Sequence, residues 1–160
     1  ESVKGGFGAR PNKDGINALS SGIANTMNTP IEALEMSFPL RVNCYELIPG
    51  SGGGGKFRGG LGARRAWTVL ENNARASVCM ERMKSPPFGI AGGGNGSPAR
   101  ATLKYPDGTQ RALPSKGAFD VPAGGQVVLE APGSGGYGDE AERDPTHIAS
   151  DRKDGYLDET

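Results

Sequence analysis

The chain has 160 residues, of which 27 are glycine, about one in six against a usual share of roughly 7%. The excess follows no three-residue period, which excludes collagen, and Leu, Ile, Val and Phe number only 28. That apolar share lies just under the roughly 20% where disorder sets in, but disorder also calls for high net charge, and 18 basic residues here balance 18 acidic ones. The composition describes one domain with a thin core and a glycine-dependent backbone that relies on another surface to cover it.

The neutral balance, without a basic stripe, argues against nucleic acid as partner. The apolar runs are far shorter than the roughly 20 residues that span a bilayer. Two distant cysteines, Cys44 and Cys79, without clustered histidine, suggest reduced thiols in the core of a cytoplasmic protein.

Residues 1–24 carry loop and turn chemistry, with Gly-Gly-Phe-Gly-Ala-Arg-Pro at 5–11 and Lys-Asp-Gly at 13–15. In Asn28-Thr29-Pro30-Ile31-Glu32, Thr29 reads as a helix cap, Pro30 as the first helical position and Glu32 as the end of a capping box. A short helix is expected over 30–36, stopped by Pro39. Beyond it, Leu40, Val42, Cys44 and Leu47 alternate near period two, and 66–70 and 76–80 carry β-branched or aromatic residues, with Asn72-Asn73 as a hairpin signal between them. Residues 99–105 and 109–113 flank Pro106-Asp107-Gly108, another hairpin, and 126–130 form the last strand. The class expected is mainly β: an antiparallel sandwich or distorted barrel with glycine-rich loops and one short helix. Residues 1–131 read as the β-rich domain, and 132–160 as a glycine-rich loop and a charged tail, loose around His147, that pack on partner regions.

Gly50-Ser51-Gly52-Gly53-Gly54-Gly55-Lys56 satisfies the G-x-x-x-x-G-K phosphate-loop pattern. Phe57 stands where Ser or Thr must hold magnesium, and three glycines follow where a helix is required, so a tight connection between strands is the better reading. His147 is the single histidine, which leaves no Ser/His/Asp relay or zinc spacing and reads as a surface residue. Asp14, Glu32 and Glu35 could gather as carboxylates for acid–base work or a hard cation, although the capping box already accounts for Glu32. Arg10, in a glycine-rich loop, could fork onto a carboxylate or phosphate, or pair internally with Asp14.

Taken in order, Gly-Gly-Phe-Gly-Ala-Arg-Pro-Asn-Lys-Asp-Gly, Asn-Thr-Pro-Ile-Glu-Ala-Leu-Glu, Gly-Ser-Gly-Gly-Gly-Gly-Lys-Phe-Arg-Gly-Gly-Leu-Gly and Pro-Gly-Ser-Gly-Gly-Tyr-Gly-Asp resemble the carboxy-terminal part of the hydantoinase B/oxoprolinase family. The resemblance covers nearly the whole chain. It implies part of an ATP-dependent enzyme that hydrolyses cyclic amides, as N-methylhydantoinase and 5-oxoprolinase do, or of a related acetone or acetophenone carboxylase. It implies as partners a hydantoinase A-type ATP-binding subunit and the rest of the B-type subunit. ATP and a divalent metal are then expected in the complete complex, with no cofactor held by this chain, and the substrate is a small cyclic amide or ketone.

Departures from the family pattern include Gly50 where a carboxylate is usual, and Gly124-Gly125 and Gly138-Asp139-Glu140 where Gly-Asp and Gly-Asp-Pro are usual. Under this reading Arg10 and Asp14 are the catalytic candidates, Arg10 orienting an anionic or carbonyl oxygen and Asp14 fixing Arg10. Gly5, Gly6, Gly8, Asn28 and Thr29 are the substrate-binding candidates. A different class is a non-catalytic assembly module docking a partner through Lys56, Arg58 and Tyr137. A carbohydrate-binding sandwich is weaker, with one Trp in the chain. The glycine clusters at 5–8, 50–62, 92–96 and 133–138 are expected to be loops that pack on parts of an enzyme this chain lacks.

Overall fold

The computed structural model describes residues 1–20, 24 and 26–157; residues 21–23 and 25 of the first loop and 158–160 of the tail lie outside the described residues. The elements are α1 (Ile31–Ser37), β1 (Leu40–Leu47), β2 (Ala63–Val69), β3 (Ala74–Cys79), β4 (Arg100–Lys104), β5 (Gln110–Ala112), β6 (Lys116–Val121), β7 (Gln126–Glu130) and α2 (Pro145–Lys153). A five-stranded sheet runs β1-β2-β7-β4-β5, and β3 pairs with β6 in a second sheet, every pairing being antiparallel. The edges β1 and β5 do not meet, so no barrel closes and the sandwich half of the expectation holds.

The core lies between the two sheets. Val78, Phe119 and Val121 of the small sheet pack against Val69, Ala101 and Leu103 of the large one, with Leu113 closing one side. Period two explains this: Trp67 and Val69, Val127 and Leu129, and Ala101 and Leu103 all turn to the core side. Arg64 and Glu130 turn to the opposite face, where Arg64 bridges Glu46 at 3.0 Å and Glu130 at 2.8 Å across directly paired strands. Near β1 the core side ends in a buried arginine, Arg65, stacked between the Tyr45 and Trp67 rings at 5.0 and 5.1 Å and bonded to Glu1 at 2.6 Å.

Several expectations change. The helix starts one residue late, at Ile31, and no side chain caps it, because the Thr29 amide donates to Glu1 and the capping box does not form. Asn72-Asn73 does turn the chain, with Asn72 at φ 56, but β2 and β3 enter different sheets and form no hairpin. The Asp-Gly hairpin is present: Asp107 accepts from the Thr109 amide at 2.9 Å, and Gly108 adopts φ 85. Strand β6 has no counterpart in the sequence reading. Cys79 is exposed and Cys44 half-buried, so neither is a full core residue. Among the described residues no helix is long and apolar enough to cross a membrane.

The largest correction concerns glycine. The glycine-rich segments hydrogen-bond to one another within the chain. Gly60 donates to Phe7 at 2.9 Å and accepts from Ser134 at 2.9 Å, while Gly6 donates to Pro132 at 3.0 Å. Three segments, each bonded to the other two, cannot lie in one flat sheet, so they form a bundle of extended chains. Residues 87–97 join it through Gly94 to Gly54 at 2.7 Å and Gly136 to Gly94 at 2.9 Å. A Cβ on Gly6 would fall far inside the 3.0 Å that real Cβ atoms keep, against the Gly60 carbonyl, and one on Gly133 would do the same against Ser51. Backbone packs directly on backbone there, which only glycine permits.

Candidate functional site

The charged tail is not loose. Asp144 accepts from the Thr146 amide at 2.8 Å with Pro145 at the first helical position, and α2 follows. Its apolar residues form no stripe, and its one buried side chain is Asp151. This carboxylate accepts from Arg58 Nε at 3.2 Å and from Arg143 Nη2 at 2.6 Å. Arg143 also forks onto Asp14, with both contacts at 2.9 Å. Asp14 further accepts from the Arg58 amide at 2.7 Å, and Arg58 reaches Asn17, the Gly59 carbonyl and the Tyr156 ring. Two buried arginines and two aspartates thus balance in charge and satisfy most of one another's hydrogen-bonding groups. Burial pushes the Asp14 carboxyl up, but the bonds from Arg143 and the Arg58 amide, with both arginine charges, outweigh it and hold it below the usual aspartate range.

This cluster separates the predicted pair. Asp14 is engaged by Arg143, not by Arg10, and among the described residues Arg10 has no ion pair. The Arg10 backbone closes a tight turn with Lys13, its amide donating at 2.9 Å, and the neighbouring Ala9 amide anchors on Gly135 at 3.0 Å. Arg10 Nε is buried without an acceptor, an arrangement that costs about 1–3 kcal/mol or more unless something supplies one.

Gly5, Gly6 and Gly8 line one cleft of about 450 Å³, together with Phe7, Leu19 and Arg82. A Cβ at Gly8 would meet nothing within 4 Å, so that glycine borders open space. Arg82 is exposed, lacks an ion pair among the described residues and holds a left-handed φ of 63, a strain uncommon outside glycine. Asn28 and Thr29 are elsewhere: Asn28 clasps Ser2, accepting from its amide at 2.8 Å and donating to its carbonyl at 2.9 Å. The three glycines therefore share one cleft, whose lining includes neither Asn28 nor Thr29.

The carboxylate trio does not assemble. Glu35 accepts from the Val42 amide at 2.8 Å and pins the start of β1, while Asp14 is held by arginine. Among the described residues no three His, Cys, Asp or Glu side chains come together, and the acidic oxygens at the cluster are already occupied by guanidinium groups, so these residues do not fit a divalent cation. ATP phosphates do not fit the Lys56 loop either. The Gly53, Lys56 and Gly59 amides donate to the Ser134, Gly138 and Gly53 carbonyls, the Glu140 carboxylate faces Gly54, and Lys56 pairs with Glu142 at 2.9 Å. A phosphate cradle needs free amides and no facing anion. His147 lies on the surface, as its isolation in the sequence indicates.

Arg143, Asp151 and Arg82 carry no signal that sequence reasoning picked out. Asp144-Pro145 is a legible helix start, but Asp151 sits in a helix without apolar periodicity, so nothing in the pattern marks it as buried. Arg58, expected to dock a partner, is instead buried in the cluster; Tyr137, expected to do likewise, exchanges backbone bonds with Phe57 at 3.0 and 2.9 Å inside the bundle.

Comparison with known proteins places this geometry in context. A family model described as Hydantoinase B/oxoprolinase matches residues 1–140. A protein of Pseudomonas sp. (strain NS671), named as the B-type subunit of a D-/L-hydantoinase, is 36% identical over 157 residues, covering 97% of this chain and 26% of its own length. The 5-oxoprolinase of Dictyostelium discoideum is 33% identical over 138 residues, covering 86% of this chain and 11% of its own. Among solved structures, the ATP-dependent caprolactamase from Pseudomonas jessenii superposes with a TM-score of 0.81 at 31% identity, over 98% of this chain and 28% of that one. An acetone carboxylase gives a TM-score of 0.77 at 19% identity, which speaks for the fold alone. The chain spans between about a tenth and a little over a quarter of the length of these relatives.

Proposed function

The chain belongs to the hydantoinase B/oxoprolinase family, and from that membership we propose that it is the β-rich carboxy-terminal portion of a B-type subunit in an ATP-dependent cyclic-amide hydrolase, where it supplies one wall of the active site. The observation that carries this reading is Arg10. Its expected partner Asp14 is taken by Arg143, and among the described residues no ion pair engages the Arg10 side chain, which leaves the terminal guanidinium nitrogens to donate to an oxygen brought by a substrate. Gly5, Gly6 and Gly8, a few residues before Arg10 in the chain, line a cleft where a small ring could approach the backbone, with Arg82, which has no ion pair among the described residues, at its border.

Arg10 orients the carbonyl or anionic oxygen, and Asp14 serves as a positioning residue. In this reading ATP and the divalent metal belong to the A-type partner and the rest of the B-type subunit; in support, no cluster of three His, Cys, Asp or Glu side chains forms among the described residues, and the Gly53 and Lys56 amides of the Lys56 loop are taken by carbonyls. The complex is cytoplasmic in this reading. The test is ATP-dependent turnover of a cyclic amide by the complete complex carrying Arg10→Ala: a fall of about 10²-fold or more in kcat/KM is expected, and unchanged turnover removes Arg10 from the site.

A second reading, a non-catalytic assembly module, draws support from Phe88 and Ile90, which are 68% and 54% exposed on the bundle. Size-exclusion chromatography of Phe88→Ser with Ile90→Ser separates the two. Loss of assembly together with unchanged turnover in Arg10→Ala favours the module.

A further inference from the structure

We infer that α2 is a positioning strap for the Arg10 turn, acting through Asp151, Arg143 and Asp14. The inference rests on the reading of Arg10 as a substrate-orienting group.

The link is a short chain of contacts. Asp151, the single buried side chain of α2, holds Arg143 at 2.6 Å and Arg58 at 3.2 Å. Arg143 grips both oxygens of Asp14 at 2.9 Å. Asp14 stands one residue beyond the Arg10–Lys13 turn, and the next amide, that of Gly15, donates to the Arg58 carbonyl at 2.7 Å. The near side of the turn is tied by Ala9 to Gly135 at 3.0 Å, and at its base the Phe7 amide donates to Ile16 at 2.8 Å. Arg58, the other arm of the cluster, is fixed from below by the Tyr156 ring, and the Tyr156 carbonyl accepts from Gly50 at 2.9 Å. On its Asp14 side the 10–13 turn therefore rests on the ionic cluster, to which residues 143–156 supply Arg143, Asp151 and the Tyr156 ring.

The manner of docking makes the strap separable. A helix bound by an apolar stripe tolerates loss of one polar contact, but α2 has no such stripe and its buried anchor is a carboxylate. Removing one partner of a buried pair leaves the others uncompensated. The two arginines would then lose half of their counter-charge, and Arg143, no longer held from the α2 side, would be free to leave Asp14. The sheet core, built on Val69, Leu103, Phe119 and Val121, shares no residue with the cluster. Local opening of α2 and the Arg10 turn can thus occur without loss of the sandwich.

The experiment uses the complete complex with Asp151→Asn, with Asp151→Glu as the conservative partner, each made alone and together with Arg10→Ala. Amide hydrogen exchange and steady-state turnover are measured on all of them. In Asp151→Asn, exchange over residues 9–15 and 145–156 should rise about tenfold or more while β2, β4 and β7 keep their protection. Its kcat should fall, Asp151→Glu should recover part of the loss, and Asp151→Asn should cause no further loss once Arg10→Ala is present.

Faster exchange confined to 145–156, with 9–15 unchanged, overturns the strap. An equal loss of turnover in the Arg10→Ala background overturns the route through Arg10. If Arg10→Ala alone leaves turnover intact, the substrate-orienting reading fails and the positioning claim falls with it, whereas the exchange data still decide the mechanical link between α2 and the turn. Should Asp151→Asn fail to fold, Arg143→Lys, which keeps the charge and loses the fork, provides the same comparison.

Discussion

Replacing Gly6 by alanine adds one methyl group where the structure has no room for it. The new Cβ would press on the Gly60 carbonyl, which belongs to backbone and cannot rotate away as a side chain would. Relief requires the 5–8 and 59–62 segments to part, and three hydrogen bonds depend on their spacing: Gly6 to Pro132, Gly60 to Phe7 and Ser134 to Gly60, at 3.0, 2.9 and 2.9 Å. At about 1 kcal/mol each their loss costs about 3 kcal/mol. The smaller unfolded-state entropy of alanine returns about 0.4–1 kcal/mol, leaving a net destabilisation of about 2–3 kcal/mol. In urea this lowers the unfolding midpoint by about 1 M, for a slope near 2–3 kcal/mol per M. Gly8→Ala is the control, because the same methyl group meets nothing within 4 Å there, and stability should stay within about 1 kcal/mol of the parent. If both variants unfold at the same urea concentration, the glycines are not packed backbone on backbone and the bundle is wrong.

Other outcomes follow from the same geometry. Gly108→Ala has free space but a φ of 85, so strain alone should cost about 1 kcal/mol, read as a small fall in the urea midpoint. Leu103→Ala, at the fully buried centre of the sandwich, should cost about 2–5 kcal/mol by the same assay, and a cost below about 1 kcal/mol would mean that the two sheets do not enclose it. Because Asp14 is held below its ordinary range, its contribution to stability is complete above that range and is lost as pH falls through the depressed value. Thermal melts should therefore be level near neutrality and decline below about pH 4, and Asp14→Asn should flatten that acid limb. Isothermal titration with magnesium-ATP should give no heat that depends on Lys56, comparing the parent with Lys56→Ala, since the Gly50, Ser51, Gly53 and Lys56 amides are already bonded and the Glu140 carboxylate faces Gly54.

The sheets were legible because their signals are local. Alternation at 40–47 and the Asp-Gly turn at 107–108 state their own geometry, and the structure follows both closely. The β2–β3 hairpin misled for the opposite reason: a turn signal reports that the chain reverses, not which sheet the next strand joins, and β3 finds β6 across more than thirty residues. Glycine showed where the unusual backbone lies but not what it packs on, since a residue without a side chain carries no periodicity. The pairing of Gly6 with Gly60 and Gly133 with Ser51 is wholly non-local.

The candidate site divides along the same line. Gly5, Gly6 and Gly8 adjoin one another in sequence and share one cleft. Arg10 and Asp14, four residues apart, invited a pair, yet Arg143 reaches Asp14 from far along the chain with a bidentate fork that sequence proximity could not foretell. Asp151 left no pattern, because a helix docked by one carboxylate needs none.

The central claim is that Arg10 donates to a substrate oxygen, and chemical rescue of the complete complex tests it most directly. Turnover of a cyclic amide is measured for Arg10→Ala with and without added guanidinium at concentrations well below those that unfold the protein. The account predicts a large loss in the variant and partial recovery with guanidinium, which can occupy the space left by the side chain and supply the missing donors. Full activity in Arg10→Ala, or a loss that guanidinium leaves untouched while the complex stays assembled, would contradict it.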